Sequence, residues 1–333
     1  MKKDSKKILV GLTYDLKQDY LDEGYSKEAV AEFDSLDTIE GIEKALEAKG
    51  YSTTRIGNIK ALNTFLAKQG TVDIVFNIAE GINGLGREAQ IPALLDAFAI
   101  DYVFSTTEVL AVSLHKGFTK AVVLQQGVLT PPYCCINTSK EIEKLNEMKF
   151  PVFLKPVSGG TGIGIDSSSF SKDLETAKKT ALKLLKTYKQ PVLVEENLPG
   201  REFTTGIVGT GEKAKVLGTM EIIIDKSSDN GIYSYKTKQN YKKCASYELT
   251  EGKMAEDCST VALKAYKALG IRDGGRIDLK LDSNGRVNFI EVNPLAGLNP
   301  IDSDLPILCR KKGISYDDLI GMIMASAMER LKK

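Results

Sequence analysis

Between residues 274 and 294 the sequence GGRIDLKLDSNGRVNFIEVNP interleaves charged and apolar side chains: Arg276, Asp278 and Lys280 alternate with Ile277, Leu279 and Leu281, and Glu291 and Asn293 flank Val292. Successive side chains of an extended chain point to opposite faces, so each polar set shares one surface. Asn284-Gly285 is a strong two-residue hairpin signal. A turn there sets Asp278 opposite Glu291 and Arg276 opposite Asn293. Two carboxylates facing each other across a ladder repel unless a proton or a cation lies between them. An Asp, a Glu and an Asn amide oxygen form a hard donor set suited to magnesium, with manganese as an alternative, and with room left for phosphate oxygens. Arg276 beside them suits a substrate anion or the developing charge of a transferring phosphoryl group. A solvated hairpin face is the competing reading.

A second segment, PVFLKPVSGGTGIGI at 151–165, places four glycines and the hydroxyls of Ser158 and Thr161 directly after an apolar strand. Such a flap can lay N–H groups over phosphates. It matches neither G-x-x-x-x-G-K-[ST] nor G-x-G-x-x-G, so a Walker loop and a dinucleotide fingerprint are both unsupported. Lys155 sits among Val152, Phe153 and Leu154, and a lysine in so apolar a strand needs an anionic partner.

The elements that must position these residues follow from periodicity. Strands are expected at Ile8–Leu12 and Val72–Ile78, with helices over Leu36–Lys49 and Glu88–Phe98, a βαβ pattern that implies a partly parallel sheet. Ser35 is the expected N-cap of the first long helix and Gly50 its C′ residue, with Leu36, Ile39, Ile42 and Leu46 inward. Next come a helix at Lys116–Gln126, a strand at Tyr133–Ile136, a helix opened by the capping box Thr138-x-x-Glu141, and the strand Val152–Pro156. Ser171 is the expected cap of a further helix with Leu174, Ala177, Ala181, Leu182 and Leu185 inward, stopped by Pro191. The last third reads as strands from Pro191 to Glu221, a polar loop at Asp225–Tyr247, a helix over Met254–Leu269, the hairpin, and a closing helix Tyr316–Lys332.

Bulk properties narrow the class. At 333 residues more than one lobe is expected. The balance of 45 Lys+Arg against 44 Asp+Glu leaves no excess to neutralise nucleic acid or an anionic bilayer, so neither is an expected partner. No stretch approaches a membrane span, and MKKDSKKILVGL reads as the approach to a first strand in a cytoplasmic protein. Five cysteines without a C-x-x-C pair fit reduced thiols. His115 is the only histidine, which excludes zinc sites built on several histidines and leaves the chemistry to carboxylates, lysines and arginines.

With these pieces in order, the chain resembles the ATP-grasp superfamily and, within it, the D-alanine:D-alanine ligase branch. The resemblance runs through HKGFTKAVVLQQGVLTPP (115–132), FPVFLKPVSGGTGIG (150–164), VLVEENLPGREFTTGIV (192–208), RIDLKLDSNGRVNFIEVNPLAGLN (276–299) and SDLP (303–306). It implies an α/β fold: an N-terminal Rossmann-like domain at 1–107, a central lid lobe at 108–190 and a C-terminal catalytic lobe at 191–333. By the family pattern Lys116 and Lys155 hold ATP phosphates, the backbone of Glu196 to Leu198 meets the adenine with Glu195 near it, and Glu202 binds the ribose. Asp278, Glu291 and Asn293 become the magnesium ligands. Arg276 and the Gly297 N–H stabilise a tetrahedral intermediate, Thr161 lies on the flap, and Ser303 contacts a substrate carboxylate. The implied reaction is an ADP-forming ligation of amino acids or small peptides through an acyl phosphate; a homodimer is compatible with it. D-alanine:D-alanine ligase proper and a non-catalytic ATP-binding regulator are the alternatives, and the retained Arg276, Asp278, Glu291 and Asn293 argue against the regulator.

The sequence also departs from that pattern. The family's early Ser-x-Glu signature has its nearest counterpart in Glu32, before Phe33-Asp34-Ser35. A Lys-Tyr pair over the site becomes Lys238-Gln239, and NPLAGLNP at 293–300 alters the acceptor side while keeping Asn293 and Gly297. The nucleotide half follows the family; the substrate half does not.

Overall fold

The structure, a computed structural model, describes residues 7–224 and 245–331. The chain opens with β1 (Leu9–Thr13), α1 (Lys17–Asp22), α2 (Leu36–Ala48), β2 (Ser52–Gly57), α3 (Ile59–Ala67), β3 (Ile74–Asn77), α4 (Gln90–Ala97), α5 (Thr107–Leu114) and α6 (Lys116–Gln125). Strands β2-β1-β3 form a parallel three-stranded sheet. Ile42 and Leu46 of α2 pack on its strands as the periodicity predicts, whereas Leu36 is exposed at the first turn. Gly50 carries φ +91 just past the end of α2, the left-handed residue that ends many helices. The Ser35 hydroxyl, by contrast, makes no cap hydrogen bond.

The middle of the chain supplies β4 (Tyr133–Ile136), β5 (Val152–Pro156), β6 (Phe170–Ser171), α7 (Leu174–Tyr188) and β7 (Val192–Glu196), which make a four-stranded sheet in the order β4-β7-β5-β6. The expected capping-box helix is instead a 3-10 helix, Ser139–Glu147, with no cap bond from Thr138; only Leu145 is buried, so little apolar contact holds a full α-helix there. Helix α7 is capped by Asp173, whose carboxylate accepts from Thr176 N at 2.9 Å, because Ser171 is drawn into β6. Leu182 is exposed, and Leu184 takes the inward place. Strand β7 runs past residue 190 and pairs within this sheet, so division by sheets falls between Glu196 and Glu202.

The remainder folds as β8 (Glu202–Val208), β9 (Lys215–Ile224), β10 (Ala245–Leu249), α8 (Gly252–Ala268), β11 (Gly274–Leu281), β12 (Val287–Asn293), α9 (Asp304–Lys311) and α10 (Tyr316–Leu331). Its five strands pair antiparallel in the order β10-β9-β8-β11-β12. Tyr247, assigned to a loop from sequence, lies in β10. Helix α10 returns to the first lobe: Leu319, Ile320 and Ile323 share a core with Ile42 and Leu46. Helix α6 leans the other way, its Val123 packed with Phe203, Ile277 and Phe289. No helix of the described residues is long and apolar enough to cross a membrane.

The β11–β12 hairpin pairs Asp278 with Glu291 and Arg276 with Asn293, as the sequence predicts. The turn differs: residues 282–286 form a longer loop in which the Asp282 carboxylate accepts the N–H groups of Asn284 and Arg286. A bulge at Ile290 absorbs the difference, since Leu279 pairs with Phe289 while Asp278 pairs with Glu291. The extra residue lets Phe289 and Val292 enter the core while Ile290 and Glu291 both face a cleft.

Candidate active site

Three strands deliver the acidic centre. Asp278 Oδ1 accepts from Thr204 Oγ1 on β8 at 2.8 Å and from Arg276 Nη1 at 2.8 Å, while Oδ2 accepts from Asn293 Nδ2 at 3.0 Å. Arg276 Nη1 also lies 2.8 Å from Asp304 Oδ2, at the start of α9. Across the ladder Glu291 lies 3.5 Å from Lys116 Nζ and 4.0 Å from Lys155 Nζ. The repulsion between the facing carboxylates is therefore relieved by cations of the protein, Arg276 on one side and two lysines on the other, so pairing alone does not demand a metal. The donor set nevertheless fits magnesium: Asp278, Glu291 and Asn293 converge on one face with hard oxygens.

Behind them sits a buried chain of ions that was only half foreseen. Lys155, in β5, pairs with Glu195 Oε1 at 3.0 Å, and Glu195 Oε2 lies 2.8 Å from Lys120. Lys120 is fully buried and donates to Thr130 Oγ1 at 2.8 Å, which in turn donates to the Phe289 carbonyl at 2.8 Å. Burial disfavours the charge of Lys120 more than Glu195 restores it, so its pKa falls. Burial opposes the charge of Lys155 as well, but Glu195 and Glu291 outweigh it and raise that pKa. For Glu195 burial alone would raise the pKa, yet Lys120 and Lys155 hold the carboxyl at about 2. Lys120 escaped the sequence reading, although its i,i+4 spacing from Lys116 puts both on one side of α6.

A cleft of about 1040 Å³ opens between the two antiparallel sheets and is lined by Lys155, Glu195, Glu196, Leu198, Glu202, Asp278 and Glu291, with Ile222 and Ile290 as apolar walls. Glu196 N donates to the Pro132 carbonyl and Asn197 N to that of Pro151. Among the described residues Leu198 N–H has no such acceptor, which leaves it for a heterocycle at the hinge. Glu202 pairs with Lys280 at 3.2 Å on the same wall. Glu195 lines this cleft as well and is at the same time the partner of Lys120 and Lys155.

A second cleft, about 460 Å³, is walled by the first lobe, the flap and the start of α9, and shares Arg276 and Glu291 with the first. Lys116 lines this smaller cleft and donates to the Gly159 carbonyl at 2.6 Å, tying α6 to the flap. Glu32 reaches the flap too, accepting from Gly160 N at 2.6 Å and from Arg87 at 2.5 Å. Glycine is required at 164, where φ is +73 and a Cβ would meet Pro156 at 2.5 Å, and at 160 a Cβ would displace Glu32 Oε1, 2.6 Å away. Thr161 sits at the flap tip with φ +53 and lines the smaller cleft. Ser303 precedes α9 and accepts from Asn299 N at 3.0 Å, and a Cβ on Gly297 would lie 2.8 Å from its Oγ. Glu80, Arg87 and Glu88, which the sequence reading passed over, gather near Glu32; charged residues at the exit of an apolar strand were the available signal. Lys238 lies outside the described residues.

A match to the family described as "D-ala D-ala ligase C-terminus" covers residues 123–325. The D-alanine–D-alanine ligase of Aquifex aeolicus is 32% identical over 291 residues, 87% of this chain and 94% of the relative. The chain belongs to the D-alanine–D-alanine ligase family. The family's ligase from Bordetella avium is 30% identical over 252 residues, 74% of this chain and 76% of its own. Two solved structures share the fold. One is the D-alanine–D-alanine ligase of Bacillus anthracis complexed with ATP (TM-score 0.73, 20% identity, 98% and 99% of the two chains). The other is a D-Ala:D-Ser ligase from Enterococcus faecalis (TM-score 0.74, 18% identity, 97% and 100%). Membership of this family makes the chain an ATP-grasp enzyme of the peptide-bond-forming ligase class.

Proposed function

We propose that this chain uses ATP and magnesium to activate the carboxylate of one small amino acid as an acyl phosphate and joins it to the amine of another. The observation that carries the reading is that the two clefts meet at Arg276 and Glu291, the residues common to both linings. A γ-phosphate entering from the larger cleft and a carboxylate entering from the smaller one come together there and nowhere else in the described residues. A carboxylate is a poor electrophile, and phosphoryl transfer gives it a leaving group. Lys155 and Lys116 hold the phosphates; Leu198 N–H and Glu202 receive the adenine and ribose. Asp278, Glu291 and Asn293 would hold magnesium, which supplies charge neutralisation for the transferring phosphoryl group. Arg276 and Gly297 N–H steady the oxyanion formed when the amine attacks. The flap, fastened by Lys116 and Glu32, excludes water that would hydrolyse the acyl phosphate. Small amino acids are the substrates in a cytoplasmic setting, and light scattering decides whether the enzyme is a homodimer.

The departures at Gln239 and 294–303 lead to a finer reading. D-alanine alone is a poor substrate, and the preferred pair includes at least one other amino acid, because a site built for one hydrogen-bond pattern leaves polar groups unpaired with another substrate. ADP release with pooled D- and L-amino acids, followed by mass measurement of the product, tests both statements. No amino-acid-dependent ADP release from a chain that still binds ATP would overturn the ligase reading. A kcat/KM for D-alanine alone above that of every mixed pair would overturn only the finer one.

A further inference from the structure

The first turn of α6 is where α5, α6 and the flap meet. Lys116 N donates to the Val157 carbonyl at 3.0 Å and Lys116 Nζ to that of Gly159 at 2.6 Å. On its inner side this turn rests on β4: Tyr133 Oη donates to the Gly117 carbonyl at 3.0 Å, and a Cβ on Gly117 would stand 2.5 Å from Cys135 Sγ. The helix start therefore has no room to move inward. On its solvent side it is held by His115, the N-cap, whose Nδ1 accepts from Phe118 N at 3.2 Å. The imidazole also stacks on the exposed Phe118 ring, with centroids 3.8 Å apart and planes 14° from parallel.

Histidine is an unusual cap, because Ser, Thr, Asp and Asn present an acceptor oxygen throughout the neutral range. An imidazole accepts only while neutral, with its proton on Nε2; a second proton turns Nδ1 into a donor aimed at the donor Phe118 N–H. That proton also sets a positive charge at the positive end of the helix, beside Lys116. Burial lowers the His115 pKa, and the charge of Lys116 adds to that. The neighbouring elements bring no compensating anion at the turn. On β4, Tyr133 and Cys135 are kept protonated by burial, α5 carries its one carboxylate, Glu108, in its far turn, and flap residues 157–160 are not titratable. The cap is thus present at neutral pH and is lost as the pH falls.

We infer that His115 is a positioning residue for the nucleotide site: its neutral imidazole pins the first turn of α6 so that Lys116 meets both the phosphates and the flap, and a proton on Nδ1 releases that turn. The inference rests on the ligase reading, in which Lys116 holds a phosphate. It is tested by calorimetric titration of magnesium with a non-hydrolysable ATP analogue into the full chain between about pH 5 and 8, without amino acids. His115→Asn supplies an acceptor that does not titrate, so the ionisation of the nucleotide and of every other group is common to both chains and their difference isolates the imidazole. At about pH 8 the two should bind within about twofold of each other, and by about pH 5 the wild type should have weakened at least about threefold more, the scale of a lost N-cap. His115→Ala, which has no acceptor, should be about threefold to tenfold weaker than His115→Asn at every pH. As the sole histidine, His115 gives an unambiguous Cε1–H proton resonance, whose titration midpoint should fall when the analogue binds. Parallel pH dependence in wild type and His115→Asn, tighter wild-type binding in acid, or a midpoint that the analogue leaves unchanged or raises would overturn the assignment. ADP release at about pH 8 reports on the ligase reading separately, because His115 is neutral there.

Discussion

At the scale of single residues, the site is governed by who neutralises whom. Lys155→Ala removes a cation that reaches both Glu195 and the cleft, and should weaken ATP binding or phosphoryl transfer by about 1.5–3 kcal/mol, the scale of a hydrogen bond to a charged group. Unchanged ATP affinity with unchanged turnover would make Lys155 purely structural. Glu195→Gln strands Lys120 in the interior, so a loss of about 3–5 kcal/mol is expected in urea unfolding at pH 7. The pH dependence has a definite sign: the Glu195 carboxyl lies at about 2, below its ordinary value of 4.5. Its contribution is present above about pH 4.5 and is lost as the pH falls toward 2, a swing of roughly 3 kcal/mol. The gap between wild type and Glu195→Gln should therefore narrow from pH 7 to pH 3, and a gap of constant size would reject the ion chain as its cause. Asp278→Asn should abolish turnover and also cost about 1–3 kcal/mol, because Arg276 loses a carboxylate partner. From sequence alone the opposite stability effect follows, since only the Asp278–Glu291 repulsion is visible there. Residue types on one strand were legible; Lys120, paired with a glutamate 75 positions later, was not, because in one dimension a helical lysine reads as solvated.

At the scale of elements, local rules worked where a strand is bounded by its own sequence and failed where tertiary pairing competes. Val152–Pro156 was readable as an apolar run, and the Arg276–Asn293 register from alternation. Ser171 was misread as a cap because the two-residue strand β6 exists only through its partner β5, and the turn at 282–286 was misread because Asp282 captures two backbone N–H groups that a two-residue turn would not offer. The bulge at Ile290 kept the register correct where the chemistry lies. A comparable coupling joins the loop after β12 to α9. Gly297→Ala would push a Cβ onto Ser303 Oγ, which holds Asn299 N, at a cost of about 1–2 kcal/mol, and Ser303→Ala should cost about 1 kcal/mol. Because the two changes act on one contact, the double variant should lose less than the combined single losses. Strictly additive losses in thermal unfolding would show that the loop yields independently of Ser303.

At the scale of the whole molecule, the interlocking of the chain was not legible, since α6 and α10 each pack on a core away from the elements that adjoin them in sequence. The same interlocking decides how the flap is held. Lys116 grips Gly159 from α6, Glu32 grips Gly160 from the first lobe, and Tyr188 on α7 reaches Glu28 at 2.8 Å on the exposed surface. The Glu32 contact is partly buried and backed by Arg87, whereas the Tyr188–Glu28 bond is solvated and contributes little. Glu32→Gln keeps an acceptor for Gly160 N but surrenders the charge and the Arg87 pairing. Local opening of residues 158–165 should then become easier by about 1–2 kcal/mol, read as roughly tenfold faster amide exchange in that segment without ATP. Glu28→Gln should change exchange there by less than about twofold. Because closure protects the acyl phosphate, Glu32→Gln should also raise ADP release uncoupled from product. Wild-type exchange across 158–165 together with fully coupled turnover in Glu32→Gln would mean that the flap is held without the help of the Glu32 charge.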